Sequence, residues 1–254
     1  IMELESDRMA NLHLDSELLE KEKGAVVGEF RRAMDNPSRM AWDELMRLMY
    51  TDSPYRYTVL GTEEEIKGFT QEEAQYFYKT FYAPNNCTLI VVGDTKEEVL
   101  LPLVEKFYGK MKSQEVPKLE MKEEAAQTKE RKWEGKHPQA TSEILMIGYR
   151  IPPVTDADTI PLSLLSSHLS QGMEARLRKA LVDKGIAVGA SAGLSNKPDL
   201  FEFSVALSEK HSAEEAIKII DREIALLQQS QIAKAAFDRA LNQELLNLYG
   251  SMEI

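Results

Sequence analysis

The chain has 254 residues, 43% hydrophobic and 29% charged, the balance of a globular protein with room for one large domain or two ordinary ones. Its net charge of −11, with acids spread along the chain, argues against nucleic acid as the main partner and favours basic or neutral polypeptides. No apolar run reaches the length of a membrane span, nothing resembles a secretory signal, and the single Cys87 excludes an internal disulfide.

Residues 1–14 read as a helix with Leu4, Met9 and Leu12 on one side. Asp15-Ser16 then caps a second helix, S-E-L-L-E-K-E-K-G-A-V-V-G-E-F-R-R. At the helical period its apolar side chains Leu18, Leu19, Ala25, Val26 and Phe30 fall in one arc. Glu22 and Glu29, seven residues apart, fall near the centre of that arc and point the same way. Carboxylates in an apolar stripe are costly unless a cation meets them. Buried salt bridges, a partly wet groove or a bound metal would each meet that need, and the pattern alone leaves all three open.

Asp35-Asn36-Pro37 ends this helix and starts another, which carries Met40, Trp42, Leu45, Leu48 and Met49. An irregular stretch, Y-T-D-S-P-Y-R-Y-T-V-L-G-T, follows, in which Tyr55 and Arg56 structure the P-Y-R loop. Thr70 and Glu73 make a capping box for a helix through Phe77 and Phe81. Thr88–Val92, apolar on both faces, reads as a central strand, with Cys87 a buried thiol beside it. Thr95 and Glu98 make a second capping box, and Pro102 kinks the helix they open. Residues 112–136 are charged and poor in large apolar side chains, as in a linker.

The second half opens on a strand over 143–149. A helix with Leu162, Leu164, Leu165 and Leu169 follows, stopping at Gly172, and then a helix over 173–182 ended by Lys184-Gly185. Strands over 187–194 and 201–207 are joined by the turn Asn196-Lys197-Pro198-Asp199. Ser212 and Glu215 cap a helix through Leu227, and residues 232–248 form the last one. Helices segregated onto a largely antiparallel sheet make the fold class α+β. The chain begins Ile1-Met2-Glu3 and ends Ser251-Met252-Glu253-Ile254, both within helical pattern, as expected of a piece of a longer polypeptide.

Of the four histidines, His168 lies at the edge of a leucine-rich helical face, and no two are spaced as a helical metal pair. An internal similarity runs at an offset of 214 residues, pairing Asp7-Arg8 with Asp221-Arg222, Leu12 with Leu226, Ser16 with Ser230 and Leu18 with Ile232. At that offset Glu22 and Glu29 correspond to Ala236 and Gln243, so one copy would carry the acids and the other not.

Ordered blocks along the chain resemble the pitrilysin/insulinase zinc peptidases, in their bacterial processing-peptidase-like branch. They are L-E-S-D-R-M-A-N-L, E-K-G-A-V-V-G-E-F-R-R-A-M-D-N-P, S-P-Y-R-Y-T-V-L-G-T and F-Y-K-T-F-Y-A-P-N-N-C-T-L-I-V-V-G-D, then G-Y-R-I-P-P, Q-G-M-E-A-R-L and K-G-I-A-V-G-A-S-A. The resemblance implies two related sheet-plus-helix repeats, both incomplete here: residues 1–111 of a zinc-type repeat, a linker over 112–137, and residues 138–254 of a non-catalytic repeat.

In that family two histidines and a general-base glutamate come from H-x-x-E-H, and the third zinc ligand is a glutamate in E-(x)6-E. The latter maps onto Glu29, with Glu22 as its outer companion. Three ligands leave a position for a water whose acidity the metal raises, and a companion carboxylate orients the site. The H-x-x-E-H stretch is absent from these residues, which implies that this chain alone binds Zn2+ weakly at best and does not cleave peptides. An Arg and a Tyr that flank K-G-[LI]-A in the family fall on Val182 and Val188. The resemblance therefore implies a zinc-bearing endopeptidase subunit acting on peptides or unfolded segments, as a homo-oligomer or with a second family subunit that supplies the Arg/Tyr pair. A non-catalytic homologue serving as a scaffold or assembly subunit is the alternative.

Overall fold

The structure is a computed structural model that describes residues 1–120, 122, 124–197 and 199–252. In chain order the helices of the first half are α1 (Met2–Asn11), α2 (Ser16–Met34), α3 (Pro37–Met49), α4 (Glu63–Gly68), α5 (Gln71–Phe81) and α6 (Glu97–Tyr108). The second half runs β1 (Ile144–Arg150), α7 (Thr159–Ser170), β2 (Ala187–Leu194), β3 (Leu200–Leu207), α8 (Ala213–Gln229) and α9 (Lys234–Met252). The architecture is α+β, as the sequence implies. Two compact units divide the chain, Ile1–Arg32 with Val59–Met121, and Ala33–Thr58 with Lys122–Ile254.

In the first unit, local chemistry sets each helix. The Asp15 side chain accepts the N–H groups of Glu17 (2.8 Å) and Leu18 (3.1 Å) and so starts α2. Two complete capping boxes, Thr62 with Glu65 and Thr70 with Glu73, start α4 and α5. The Tyr78 hydroxyl of α5 donates to the Arg8 carbonyl (2.9 Å) and accepts the Leu12 N–H (3.3 Å), which ties α5 to the end of α1. Among the described residues this unit has no strand. Thr88–Val92, expected as a central strand, is extended chain outside any sheet, with Ile90 77% and Val92 91% exposed, and Cys87 is exposed as well. A run of strand-forming residues becomes a strand only where a ladder partner exists, and none stands beside this run among the described residues. The Thr95–Glu98 box also fails to form. The Thr95 N–H turns back to the Gly93 carbonyl (2.9 Å), and α6 starts beyond it with Lys96 at the cap.

In the second unit β3 is the central strand, paired antiparallel with β1 on one side and β2 on the other. Its odd positions Phe201, Phe203, Val205 and Leu207 are buried and build the core with Leu169, Leu177, Leu181, Ala216 and Ile220. On the other face Leu200 is fully buried against Leu45, Met46, Met49 and Tyr50. Asn36 caps α3, and Pro37 stands in its first turn, where the sequence places the start of that helix. Gly148 of β1 lets α3 approach, because a Cβ there would lie 2.7 Å from Met49 Sδ and 3.1 Å from Leu200 Cδ1. The helix expected over 173–182 is a turn followed by the short helical stretch Arg178–Val182, and Gly185, at φ 74°, ends it. On β2, Ser166 and Ser170 of α7 donate to the Ala192 carbonyl (both 2.9 Å), and Ser170 also accepts the Ala192 N–H, which closes that edge of the sheet. Pro198, in the turn expected before β3, lies outside the described residues, as do Met121 and Glu123 of the linker and Glu253 and Ile254 at the end of the chain.

The charged stretch read as a linker has no secondary structure over most of its described length, yet it is pinned along α3. Glu124 accepts the N–H groups of Thr51 (2.8 Å), Asp52 (2.6 Å) and Ser53 (2.5 Å) together with the Thr51 hydroxyl (2.8 Å). Burial of the Glu124 carboxyl is outweighed by these bonds, which hold its pKa at about 2. Further on, Arg131 donates to the Leu48 carbonyl (2.6 Å), and the His137 ring bonds the Met34 carbonyl (2.7 Å).

Two expectations follow from this packing. Gly148→Val should destabilise the fold by about 1–3 kcal/mol through overpacking, read as a lower urea midpoint with an unchanged slope. Glu124→Ala should leave the Thr51, Asp52 and Ser53 N–H groups without their acceptor, and cleavage by trypsin at Lys129, Arg131 and Lys132 should accelerate by about tenfold.

Candidate functional site

The two glutamates singled out by their spacing sit on α2, and the structure corrects the direction in which they face. The core side of α2 is Lys23 and Val27, both buried, flanked by half-buried Leu19, Val26 and Phe30. Glu22 and Glu29 are exposed, together with Leu18 and Ala25. The buried arc lies roughly a quarter-turn from the one expected, because a lysine takes an inward position. That cation is satisfied: Lys23 Nζ donates to Glu20 (2.8 Å) and to the Lys67 carbonyl (3.2 Å), and lies 5.0 Å from the Phe69 ring centroid. Gly24 and Gly28 leave the helix intact, which runs unbroken from Ser16 to Met34.

The four acids of α2 divide into two kinds. Glu17 pairs with Lys21 (3.0 Å) and Glu20 with Lys23 (2.8 Å). Glu22 and Glu29 make no hydrogen bond or ion pair among the described residues, so both carboxylates are free to meet a ligand from outside. Two carboxylates on one helix face suit a hard or borderline cation, but a zinc centre of this kind needs nitrogen donors too. None stands with them: among the described residues no group of three or more His, Cys, Asp or Glu could hold a metal. The residues present therefore do not complete a zinc site. His13 lies in the exposed loop before α2, and His137 and His211 are engaged with Met34 and Glu215.

The positions expected for the Arg/Tyr pair carry no polar contact. Val182 ends the short helical stretch after α7, and Val188 is 71% exposed at the irregular point of the β2–β3 register.

The sequence profile described as the peptidase M16 inactive domain matches residues 68–244. The chain belongs to the peptidase M16 family. It is 28% identical to the zinc protease PqqE of Helicobacter pylori, over the whole of this chain and 59% of that protein. Over 42% of this chain and 23% of the relative, it is 25% identical to the mitochondrial-processing peptidase subunit beta of Caenorhabditis elegans. A crystal structure of a protease from Helicobacter pylori superposes with a TM-score of 0.88 at 25% identity, covering all of this chain and 63% of that one. This M16 chain thus spans about three-fifths of the length of its Helicobacter relatives.

Sequence reasoning missed α4 and the buried Lys23 that meets it. The signal for α4 was present in Thr62-Glu63-Glu64-Glu65, a capping box that opens on the last residue of the stretch read as irregular. Among the described residues of the M16 chain, the enclosed side-chain polar atoms without a hydrogen-bond partner include His168 Nε2 and Glu202 Oε2, both away from α2. Burial, with the nearby Arg176 and Arg239, lowers the pKa of His168. Glu202 stands on β3 opposite Gly148 and Gly193, and burial raises its pKa.

A raised carboxyl pKa means that the folded chain holds the proton more tightly than the unfolded one. The stability this group allows is therefore complete below the unfolded value of about 4.3 and is lost as pH rises through the folded value. Glu202→Gln should raise the melting temperature at pH 7, and the gain should vanish near pH 4 in a calorimetric series.

Proposed function

We propose that this chain is part of a zinc-dependent endopeptidase that hydrolyses peptides or unfolded polypeptide segments. In this reading Glu29 is a zinc ligand and Glu22 supports it, while the histidine donors come from outside residues 1–254. Residues 1–111 and 138–254 belong to two related repeats joined through 112–137. The observation that carries the reading is that Glu22 and Glu29 are the acids of α2 left exposed and without partners, at the spacing of E-(x)6-E. The zinc-protease name of the Helicobacter relative supports it, and the processing-peptidase relative, named as a subunit, supports a homo-oligomer or a second family subunit as partner. Zinc supplies water activation when bound in such peptidases. What this chain's own residues contribute is a carboxylate pair held on one rigid helix.

A second reading is a non-catalytic homologue that serves as a scaffold or assembly subunit, favoured by the match of residues 68–244 to an inactive domain. The two readings separate on the parent protein. Under the first, Glu29→Gln in the zinc-loaded parent should abolish turnover and stoichiometric zinc retention, and Glu22→Gln should cost about 10–100-fold in zinc affinity or activity. Residues 1–254 alone should show no turnover and no stoichiometric zinc uptake in a calorimetric titration. Normal activity in Glu29→Gln would overturn the ligand assignment, whereas a parent without paired histidines in H-x-x-E-H would count for the scaffold.

A further inference from the structure

α2 buries little apolar surface. Lys23 and Val27 are its buried residues, and its two glycines meet nothing beyond their own helix. Something other than core packing must therefore fix its rotation, and apart from the His137 bond to Met34 at its last residue, the polar contacts that reach α2 from other elements converge on one short element, α4. At the start of α4, Glu63 takes Arg31 in a two-point pair, Nε to Oε2 at 3.1 Å and Nη2 to Oε1 at 2.6 Å. Lys67 of the same helix closes onto Glu63 Oε1 at 2.6 Å. At the other end of α4, the Lys67 carbonyl takes the buried Lys23 ammonium at 3.2 Å, with the Phe69 ring just beyond. Bidentate guanidinium–carboxylate pairs fix direction as well as distance. With its Arg31 and Lys67 bonds, Glu63 is held ionised, its pKa lowered to about 2.

Glu22 immediately precedes one anchor, Lys23, and Glu29 lies two residues before the other, Arg31. At roughly 100° per residue the anchors occupy one side of α2, and the two glutamates project from nearly the opposite side. We infer that α4 is a clamp that sets the rotation of α2, with Lys23, Arg31 and Glu63 as positioning residues that aim Glu22 and Glu29 outward. The significance of that aim rests on the ligand reading proposed above, but the clamp itself can be tested without metal.

The test is thiol reactivity along α2 in the full 254-residue chain, with Cys87→Ser as background and a maleimide as probe. Single cysteines replace Glu22, Val27 or Glu29. With the clamp intact, the Glu22→Cys and Glu29→Cys chains should react about tenfold or more faster than Val27→Cys. Adding Lys23→Met with Glu63→Gln should shrink that contrast to about threefold or less while the helical circular-dichroism signal persists. Arg31→Lys, which keeps the charge but cannot make the two-point pair, should lower the contrast to between those two values, and a contrast as large as with Arg31 would overturn Arg31 as an anchor.

An unchanged contrast in the doubly substituted chain overturns the clamp. So does loss of the helical signal together with the contrast, since α4 would then hold α2 folded rather than aim it. The ligand reading fails separately. If Glu29→Gln leaves zinc retention by the parent untouched while the contrast collapses on loss of the anchors, the clamp stands and the metal assignment falls.

Discussion

The second unit depends on β3, the one strand of its three-stranded sheet with both edges paired. Its alternation sends Phe201, Phe203, Val205 and Leu207 into one core and Leu200 into another, so one strand stitches two apolar clusters together. At about 25 cal/mol per Å² of buried apolar area, a strand buried on both faces outweighs any single surface ion pair in this chain. The α3 cluster is sealed by polar groups at its rim. Tyr50 donates to Asp199 (2.6 Å), and Arg150 pairs with Asp199 while lying over the Tyr50 ring. Burial and Asp199 together push the Tyr50 hydroxyl well above its usual range, which keeps it neutral as the donor of that bond.

Much of this was legible in the sequence wherever local chemistry decides the outcome. The caps at Asp15, Asn36, Thr70 and Ser212 stand where their side chains predict, because a cap needs only residues within one turn. The strands of the second half were legible for a different reason, since each finds its partner within the same unit. Thr88–Val92 has equally strong strand character and forms none, because pairing is a property of two segments and a sequence displays one at a time.

The candidate site was half legible. The spacing of Glu22 and Glu29 placed them on one helical face, and they share one. The direction of that face was misread because apolar periodicity assigns lysine to solvent by default. Lys23 overrides the default by finding a carbonyl and an aromatic ring in long-range neighbours, with the Glu20 carboxylate one turn away on α2. The Lys67 carbonyl and the Phe69 ring lie 44 or more residues away, and local periodicity carries no information about them. The same blindness hid the strap over α3, where Glu124, Arg131 and His137 look like ordinary charges in a polar stretch until the backbone groups they bond are in place.

The bare apolar run at Leu89, Ile90, Val91 and Val92 has a bearing on how the isolated chain behaves in the test tube. A short uncharged apolar segment, three of its four residues β-branched, with its backbone amides unengaged, is a template on which identical molecules can stack edge to edge. Global repulsion from a charge of −11 is screened beyond about 10 Å at ordinary salt, whereas such stacking acts at contact. The shelf life of a concentrated preparation should therefore respond more to these four side chains than to the acidity of the whole surface.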